Sequence, residues 1–453
     1  MRKRSVTDFF KQDKPAFVSY DNLRKIPSYV DGLKTSQRKL IWTAFEKAAK
    51  DYVKTESFIN LCSLYTNYIH GAASLGVVCE GLTQEFVNAS NWAYFDGGDT
   101  GWGCRQIPVA SATRYTKLRL APIAKAVFDK QDEPILEKQY FEGEYIEPKT
   151  FMPIFPTIFL NSSEGLSTGF SSKIFSRNPK EVISYIKKRL AGEEPKAKLL
   201  PWFRNFKGTI RKTEEGCECA GVIERKNTTS YEITELPVGV EQSKYVEFLD
   251  KLCDDKVIVD YSDECDPKTN TIFYRVKTTR EFTKKHESEE KLLKAFKLVK
   301  SLPENLNCID ENNRVREFKD VKEILDAFID KRKEAYRRRK DWILSSTKDE
   351  IEEMASKYYF CKGIVDRTIK VTNVPKAEIV KTLEGMQKIK KLDGTYDYLL
   401  RLPISSLTTE LLEKLKREIV EKKAYFDQVK ATSIEDMWLK DLDGLAKEFF
   451  KGC

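Results

Sequence analysis

Residues 321–358 read VKEILDAFIDKRKEAYRRRKDWILSSTKDEIEEMASKY. Val321, Leu325, Phe328, Tyr336, Ile343, Ile351, Met354 and Tyr358 recur near a 3.5-residue period, with Lys331-Arg332-Lys333-Glu334 and Arg337-Arg338-Arg339-Lys340 between them. A narrow apolar seam with solvated flanks predicts one long helix. A second such stretch runs from Thr409 to Val429, with Leu412, Leu415, Ile419, Phe426 and Val429 on its stripe. Two long charged helices so connected predict an antiparallel coiled coil with a small globule, Gly363 to Leu402, at its tip; an ordinary helical bundle fits the same pattern. Glu435 to Phe450 reads as a closing helix.

Working outward, residues 151–320 have a different character. Phe151-Met152-Pro153-Ile154-Phe155-Pro156-Thr157-Ile158-Phe159-Leu160 reads as an extended apolar run broken by prolines, and strand-like pieces follow at Gly208–Ile210, Tyr231–Leu236 and Thr271–Val276. This predicts a mixed α/β module. Residues 19–150 are apolar and aromatic-rich. Ser36 to Lys50, Ser57 to Tyr68 and Ser74 to Phe86 read as helices joined by short turns, which suggests a helix-turn-helix core. Residues 1–18 read as a loose, basic arm. The fold class is therefore α+β and multidomain, as expected for a 453-residue chain.

Composition narrows the function. Apolar residues make up 41% of the chain, enough to fill real cores, and charged residues 33%. The net charge of +9, from 79 basic and 70 acidic side chains, is compatible with a polyanionic partner. No apolar run is long enough to span a membrane. Met1 to Asp8 has no apolar signal region. The ten cysteines are scattered and read as reduced thiols, so the expected compartment is cytoplasmic. Only two histidines, His70 and His286, are present, and no His-x-x-x-His pair exists. Cys217-Glu218-Cys219 has no second pair at zinc spacing and reads as an exposed turn. There is no P-loop. Phe95 to Gly103 is glycine-rich without dinucleotide spacing, and reads as a tightly bent loop. No metal site is expected on this chain. Gly101 to Leu120 holds Arg105, Arg114, Lys117 and Arg119 and no acidic residue, so its local field is positive.

Four segments stand out together: Ile26-Pro27-Ser28-Tyr29-Val30-Asp31-Gly32-Leu33-Lys34-Thr35-Ser36-Gln37-Arg38-Lys39, Tyr68-Ile69-His70-Gly71, Ala110-Ser111-Ala112-Thr113-Arg114-Tyr115, and Ile158-Phe159-Leu160-Asn161-Ser162-Ser163-Glu164-Gly165-Leu166-Ser167-Thr168-Gly169. In this order and spacing the chain resembles the breakage-reunion core of type IIA DNA topoisomerases. Phe206–Ile210, Ile233–Pro237 and Tyr396–Leu400 agree with the same pattern, so the resemblance spans roughly residues 16–450. In extent the chain is similar to the separate medium subunit of T-even-type phage topoisomerases, and in role to the cleaving subunit of bacterial gyrase without its wrapping domain. The wording of several motifs is closer to the eukaryotic enzymes.

The resemblance implies a basic arm over 1–18, a winged-helix domain with the catalytic tyrosine over 19–150, a tower over 151–320, and a coiled coil with its C-terminal gate over 321–453. It implies that Tyr115 attacks a DNA phosphate and stores the bond as a phosphotyrosine ester. A free phenol titrates near pH 10, so its anion needs positive charge beside it, which Arg114 would supply. It further implies that Lys34, Gln37, Arg38, Lys39, His70, Arg105, Lys117 and Arg119 contact DNA. Leu166 stands where many relatives carry an isoleucine that wedges between base pairs. Ile69 replaces the first histidine of the family's Tyr-His-His-Gly, and Trp102-Gly103-Cys104 departs from its Phe-Gly-Thr. Mg²⁺ would be held by the toprim domain of a partner and ATP by the partner's ATPase domain. Expected partners are double-stranded DNA, a second copy of this chain through the DNA gate and C-gate, and a large subunit carrying the ATPase and toprim modules; no membrane is expected. If the chain is phage-encoded, the compartment is the host bacterial cytoplasm. The competing reading is a non-catalytic, architectural DNA-binding protein with the same fold.

Overall fold

The computed structural model describes residues 5–47, 51–214, 216–403 and 408–451. The chain divides into two compact units, one of Met1–Arg332 with Leu439–Cys453 and one of Lys333–Trp438. No helix of the described residues is long and apolar enough to cross a membrane.

In the first unit, α1 (Lys14–Lys25) starts with Pro15 in its first turn, where a missing N–H costs nothing. It ends at Ile26, pushed into the extended region by the proline that follows. The arm is not loose where it is described: helical structure already begins at Val6. Three helices come next, α2 (Thr35–Glu46), α3 (Thr55–Tyr65) and α4 (Ala72–Thr83), packed on one another. Residues 48–50 of the first expected helix lie outside the described residues. The second helix stops short of Tyr68 because Asn67 takes a left-handed backbone, φ 47°, beyond the cap. A three-stranded antiparallel sheet completes this part, with β1 (Val53–Lys54) and β2 (Phe95–Asp96) flanking β3 (Lys117–Leu120). Three packed helices carrying a small sheet are the expected winged-helix arrangement.

The Phe151–Leu160 run is core but no strand. Phe155, Ile158, Phe159 and Leu160 are fully buried, and the backbone makes a 3₁₀ turn at Thr157–Phe159. Pro153 and Pro156 cannot donate to a ladder, which excludes a central strand. It is followed by a hairpin, β4 (Ser163–Leu166) with β5 (Ser171–Ile174). The mixed α/β part holds a four-stranded sheet (Val222–Arg225, Ser230–Glu235, Tyr274–Thr278, Ile258–Asp263) covered by the helix Gln242–Asp254. A three-stranded sheet has Gly216–Ala220 at its centre. Cys217-Glu218-Cys219 is therefore a central strand with Cys219 buried, not an exposed turn. The strand runs from exposed to buried along its length without alternating, so it carries no period-2 signal.

In the second unit, the helix Val321–Val365 continues past Lys333 and pairs with Thr409–Ala431. Lys340 Nζ donates to the carbonyls of Lys430 (3.0 Å) and Thr432 (2.7 Å), Lys422 pairs with Glu350, and Leu412 packs on the cluster that contains Phe360. Rising numbers on one helix meet falling numbers on the other, so the pair is antiparallel. The globule is a cluster of Phe360, Ile369, Leu383, Ile389 and Leu399. Trp438 stacks on Tyr336 at 5.7 Å. The closing helix is Ile434–Phe449, and in the first unit Phe449 packs on Trp92 and Phe155.

Candidate active site

The loop from Gly97 to Thr116 is built to present one side chain. Gly97 has no room for a Cβ, which would lie 2.1 Å from Trp102 Cδ1. The Ser111 N–H donates to Gly101 O at 2.8 Å, closing the loop, and Trp102 Nε1 donates to Lys117 O at 2.9 Å. The Thr116 hydroxyl is buried against Thr55 Oγ1 at 2.8 Å. Next to that anchor Tyr115 is 68% exposed. The Arg114 guanidinium carbon lies 5.0 Å from the Tyr115 ring centroid, and Arg114 is also exposed. A guanidinium at this place can hold a phosphate beside the phenol. Lys117, two residues on at the start of β3, is exposed. Arg119, half-exposed, pairs with Asp96 at 2.8 Å and lies over Tyr52. The acid-free stretch thus has its basic charge partly balanced by an acid from the neighbouring strand.

The loop is carried on the flank of α4, which begins just after His70. The Ala110 N–H donates to Glu80 Oε1 at 2.8 Å, and a Cβ on Gly76 would stand 3.3 Å from Thr113. His70 Nε2 makes a short hydrogen bond with the Tyr20 hydroxyl, and its ring meets Tyr68 edge-on at 5.5 Å. Burial, and then the charge of Arg24, hold this imidazole below its ordinary 6.5. Tyr20 and Arg24 were not legible as site residues. They lie on α1, before the first motif, and only packing brings them to His70. Among the candidate residues, Tyr115 contacts Arg114 and His70 contacts none.

Lys34 and Leu166 form a further group. Lys34 Nζ donates to Glu164 O at 2.6 Å, on the hairpin strand that carries Leu166. Burial lowers the affinity of this amine for its proton, and Glu164 opposes the shift. The hairpin is clamped to α1: a Cβ on Gly165 would lie 2.2 Å from Lys25 O, Ser167 Oγ donates to Asn22 at 2.7 Å, and Thr168 N–H donates to Asp21 at 2.9 Å. Leu166, at the end of its strand, is 77% exposed. An exposed leucine on a braced hairpin is available to another molecule. A cleft of 480 Å³ lies alongside, lined by Lys34, Gln37, Val77, Gln84, Glu164 and Lys173 among others.

Four of the residues expected at DNA are engaged within the chain. Arg38 is buried and bidentate to Asp31, at 2.7 and 3.0 Å. Asp31 also accepts the Phe151 N–H at 2.9 Å, so the pair ties the first motif to the core run. Lys39 is buried between Glu147 (2.8 Å) and Thr66 O (2.6 Å). Arg105 is buried against Glu235, and its N–H donates to Asn270 at 2.7 Å. Gln37 caps α2 by accepting the Lys34 N–H at 2.9 Å. The three cations are occupied as structural struts, because a buried cation must be paired, whereas Gln37 is half-buried and also lines the cleft. Among the described residues no grouping of three or more His, Cys, Asp or Glu side chains could hold a metal ion.

Known proteins share this architecture. A family model for the A-type chain of DNA gyrase/topoisomerase IV matches residues 24–443. The chain is 29% identical to the mitochondrial DNA topoisomerase 2 of Dictyostelium discoideum, covering 100% of this chain and 36% of that protein. It is 31% identical to DNA topoisomerase 2 of Plasmodium falciparum, covering 97% of this chain and 34% of that one. The crystal structure of the Plasmodium falciparum topoisomerase II DNA-binding, cleavage and re-ligation domain superposes with a TM-score of 0.89 at 31% identity, over 98% of this chain and 64% of that chain. The chain thus spans about a third of the length of these curated relatives. With the family match running through both units, the chain belongs to the DNA gyrase/topoisomerase IV family of A-type chains.

Proposed function

We propose that this chain is the DNA cleavage and religation part of an ATP-dependent type II topoisomerase, the reading carried above all by an exposed Tyr115 with the Arg114 cation against its ring. The Tyr115 oxygen attacks a backbone phosphorus. The bond from phosphorus to the 3′ oxygen breaks, a 5′-phosphotyrosine ester forms, and the phenolic proton is given up as the free 3′ hydroxyl gains one. The reverse attack reseals the strand with no fresh energy source. Arg114 stabilises the phenolate and the charge on the phosphate oxygens. Lys117, Arg119 and Lys34 contact phosphates, His70 assists at the scissile phosphate or the leaving oxygen, and Leu166 wedges between bases.

In this reading the winged-helix gate covers 19–150, the tower 151–320, and the coiled coil with its exit gate 321–453. Two copies form the gate, each cutting one strand of duplex DNA. Among the described residues no group of three or more His, Cys, Asp or Glu side chains could hold Mg²⁺. That ion, ATP and their toprim and ATPase modules are assigned to a large partner protein, as in the split phage enzymes. The compartment is the cytoplasm, that of a bacterial host if the gene is viral.

The test is a covalent trap. The chain, reconstituted with a partner carrying the missing modules, Mg²⁺ and ATP, is given duplex DNA and the reaction is quenched with detergent. Protein linked to 5′ ends is expected. Binding and bending without any adduct would make the chain an architectural protein, and relaxation by the isolated chain would overturn the split of modules.

A further inference from the structure

The first helical turn of the described chain has no interior to face. Ser5 caps it: its hydroxyl accepts the Asp8 N–H at 3.0 Å and donates to the Asp8 carboxylate at 2.7 Å. The turn Val6–Asp8 runs into a π-helical turn, Phe9–Asp13, and none of these residues is buried. Val6 is 75% exposed, Phe9 49% and Phe10 55%. At spacing i, i+3 and i+4 the three side chains share one face. The Phe9 and Phe10 rings meet edge to face at 5.5 Å, and the Lys14 ammonium lies 4.8 Å from the Phe10 ring centroid. The face is apolar, locally ordered and unpartnered, while the sequence around it is basic: Arg2, Lys3, Arg4 and Lys11.

The chemistry of this face selects its occupant. A lipid surface calls for a long apolar stripe with a cationic opposite face, whereas Asp8 and Asp13 flank the aromatic pair. A long groove for an amphipathic helix calls for apolar residues one turn further on, where Asp13 and Lys14 stand seven and eight places after Val6. What fits is a compact pocket that takes one turn: an aliphatic residue and, after two spacers, two adjacent aromatics. A carboxylate rim would complement the basic flank. Ring-shaped sliding clamps that encircle duplex DNA offer such a pocket to peptides of this form, which carry a polar residue three places before the aliphatic one. Lys3 stands at that place, and Thr7-Asp8 are the spacers before the aromatics. We propose that Val6, Phe9 and Phe10 are a docking plug for the apolar pocket of a DNA sliding clamp. The plug tethers this chain to the duplex on which the clamp rides, and uses none of the residues assigned to cleavage. The capped turn has already given up part of the entropy a free peptide loses on docking.

The test needs no DNA and no cleavage, so it stands apart from the topoisomerase reading. The full-length chain is titrated calorimetrically with a purified trimeric clamp of the eukaryotic type, beside Phe9→Ala/Phe10→Ala. Saturable binding is expected for the wild type, weakened roughly tenfold or more in the variant and weakened by salt. The variant should melt at the wild-type temperature, since both rings are exposed. The proposal is overturned by no binding of the wild type, by equal binding of the variant, or by early melting of the variant. It is equally overturned if the wild type self-associates without clamp and the variant does not, since the occupant would then be a second copy.

Discussion

The Arg114 guanidinium carbon stands 5.0 Å from the centroid of the Tyr115 ring, and both side chains lie on the surface beside the buried Thr116 anchor. Tyr115→Phe deletes one oxygen and leaves the ring in place. The variant is expected to bind and bend DNA like the wild type and to give no covalent adduct, read on a detergent-quenched gel. Arg114→Ala keeps the attacking atom and removes the cation. It should cut slowly, with the rate lowered about 10²–10³-fold, as when one charge-stabilising contact is lost. An adduct formed by Tyr115→Phe would move the nucleophile to another tyrosine.

Arg38 and Asp31 form a buried, bidentate pair. Arg38→Gln leaves the Asp31 carboxylate without its cation, at a cost of about 3–5 kcal/mol. Urea denaturation should register that loss. The slope of log DNA affinity against log salt should stay as in the wild type, because the side chain is engaged inside. A flattened slope in a variant of normal stability would return Arg38 to the phosphates.

Leu166 is exposed on a hairpin whose hold on α1 runs through Gly165, Ser167 and Thr168. Leu166→Ala should change stability by no more than about 0.5 kcal/mol. In the reconstituted complex it should reduce the bend, measured by energy transfer between labelled duplex ends. An unchanged bend would leave Leu166 without a wedge role.

His70 carries a pH prediction. Burial and then Arg24 lower its pKa beneath 6.5 in the folded state. As pH falls through 6.5 the unfolded chain takes up this proton before the folded one does, so stability is full above that value and declines below it. Arg24→Gln removes a repelling charge and should raise the His70 pKa. With only two histidines in the chain, ring nitrogen NMR resolves it, with His286→Gln as the assignment control. A His70 pKa unmoved in Arg24→Gln would leave burial as the sole cause.

Much of the local structure was legible because it depends on neighbours in sequence. The seam from Val321 onward does end in a paired helix, and the helices near Ser36, Ser57 and Ser74 appear at Thr35–Glu46, Thr55–Tyr65 and Ala72–Thr83. Their ends shifted where single residues intervened, such as Asn67 in a left-handed conformation. The Phe151–Leu160 run was correctly apolar, but its prolines turned a strand pattern into a buried 3₁₀ turn.

The sequence by itself determined the periodicities, the motif order, and thereby the family and the choice of Tyr115, Arg114 and Leu166 as candidates; their exposure is a property of the fold. Only the tertiary structure decided which cations are free to meet another molecule. Arg38, Lys39 and Arg105 look in sequence like Arg114 and Lys117, yet their carboxylates come from Asp31, Glu147 and Glu235, the last two more than a hundred residues away. Tyr20 reaches His70 across fifty positions in the same way. Helix and strand patterns are set by the few residues around each position, whereas burial of a charge depends on which distant segment folds against it, and nothing in the local spacing encodes that.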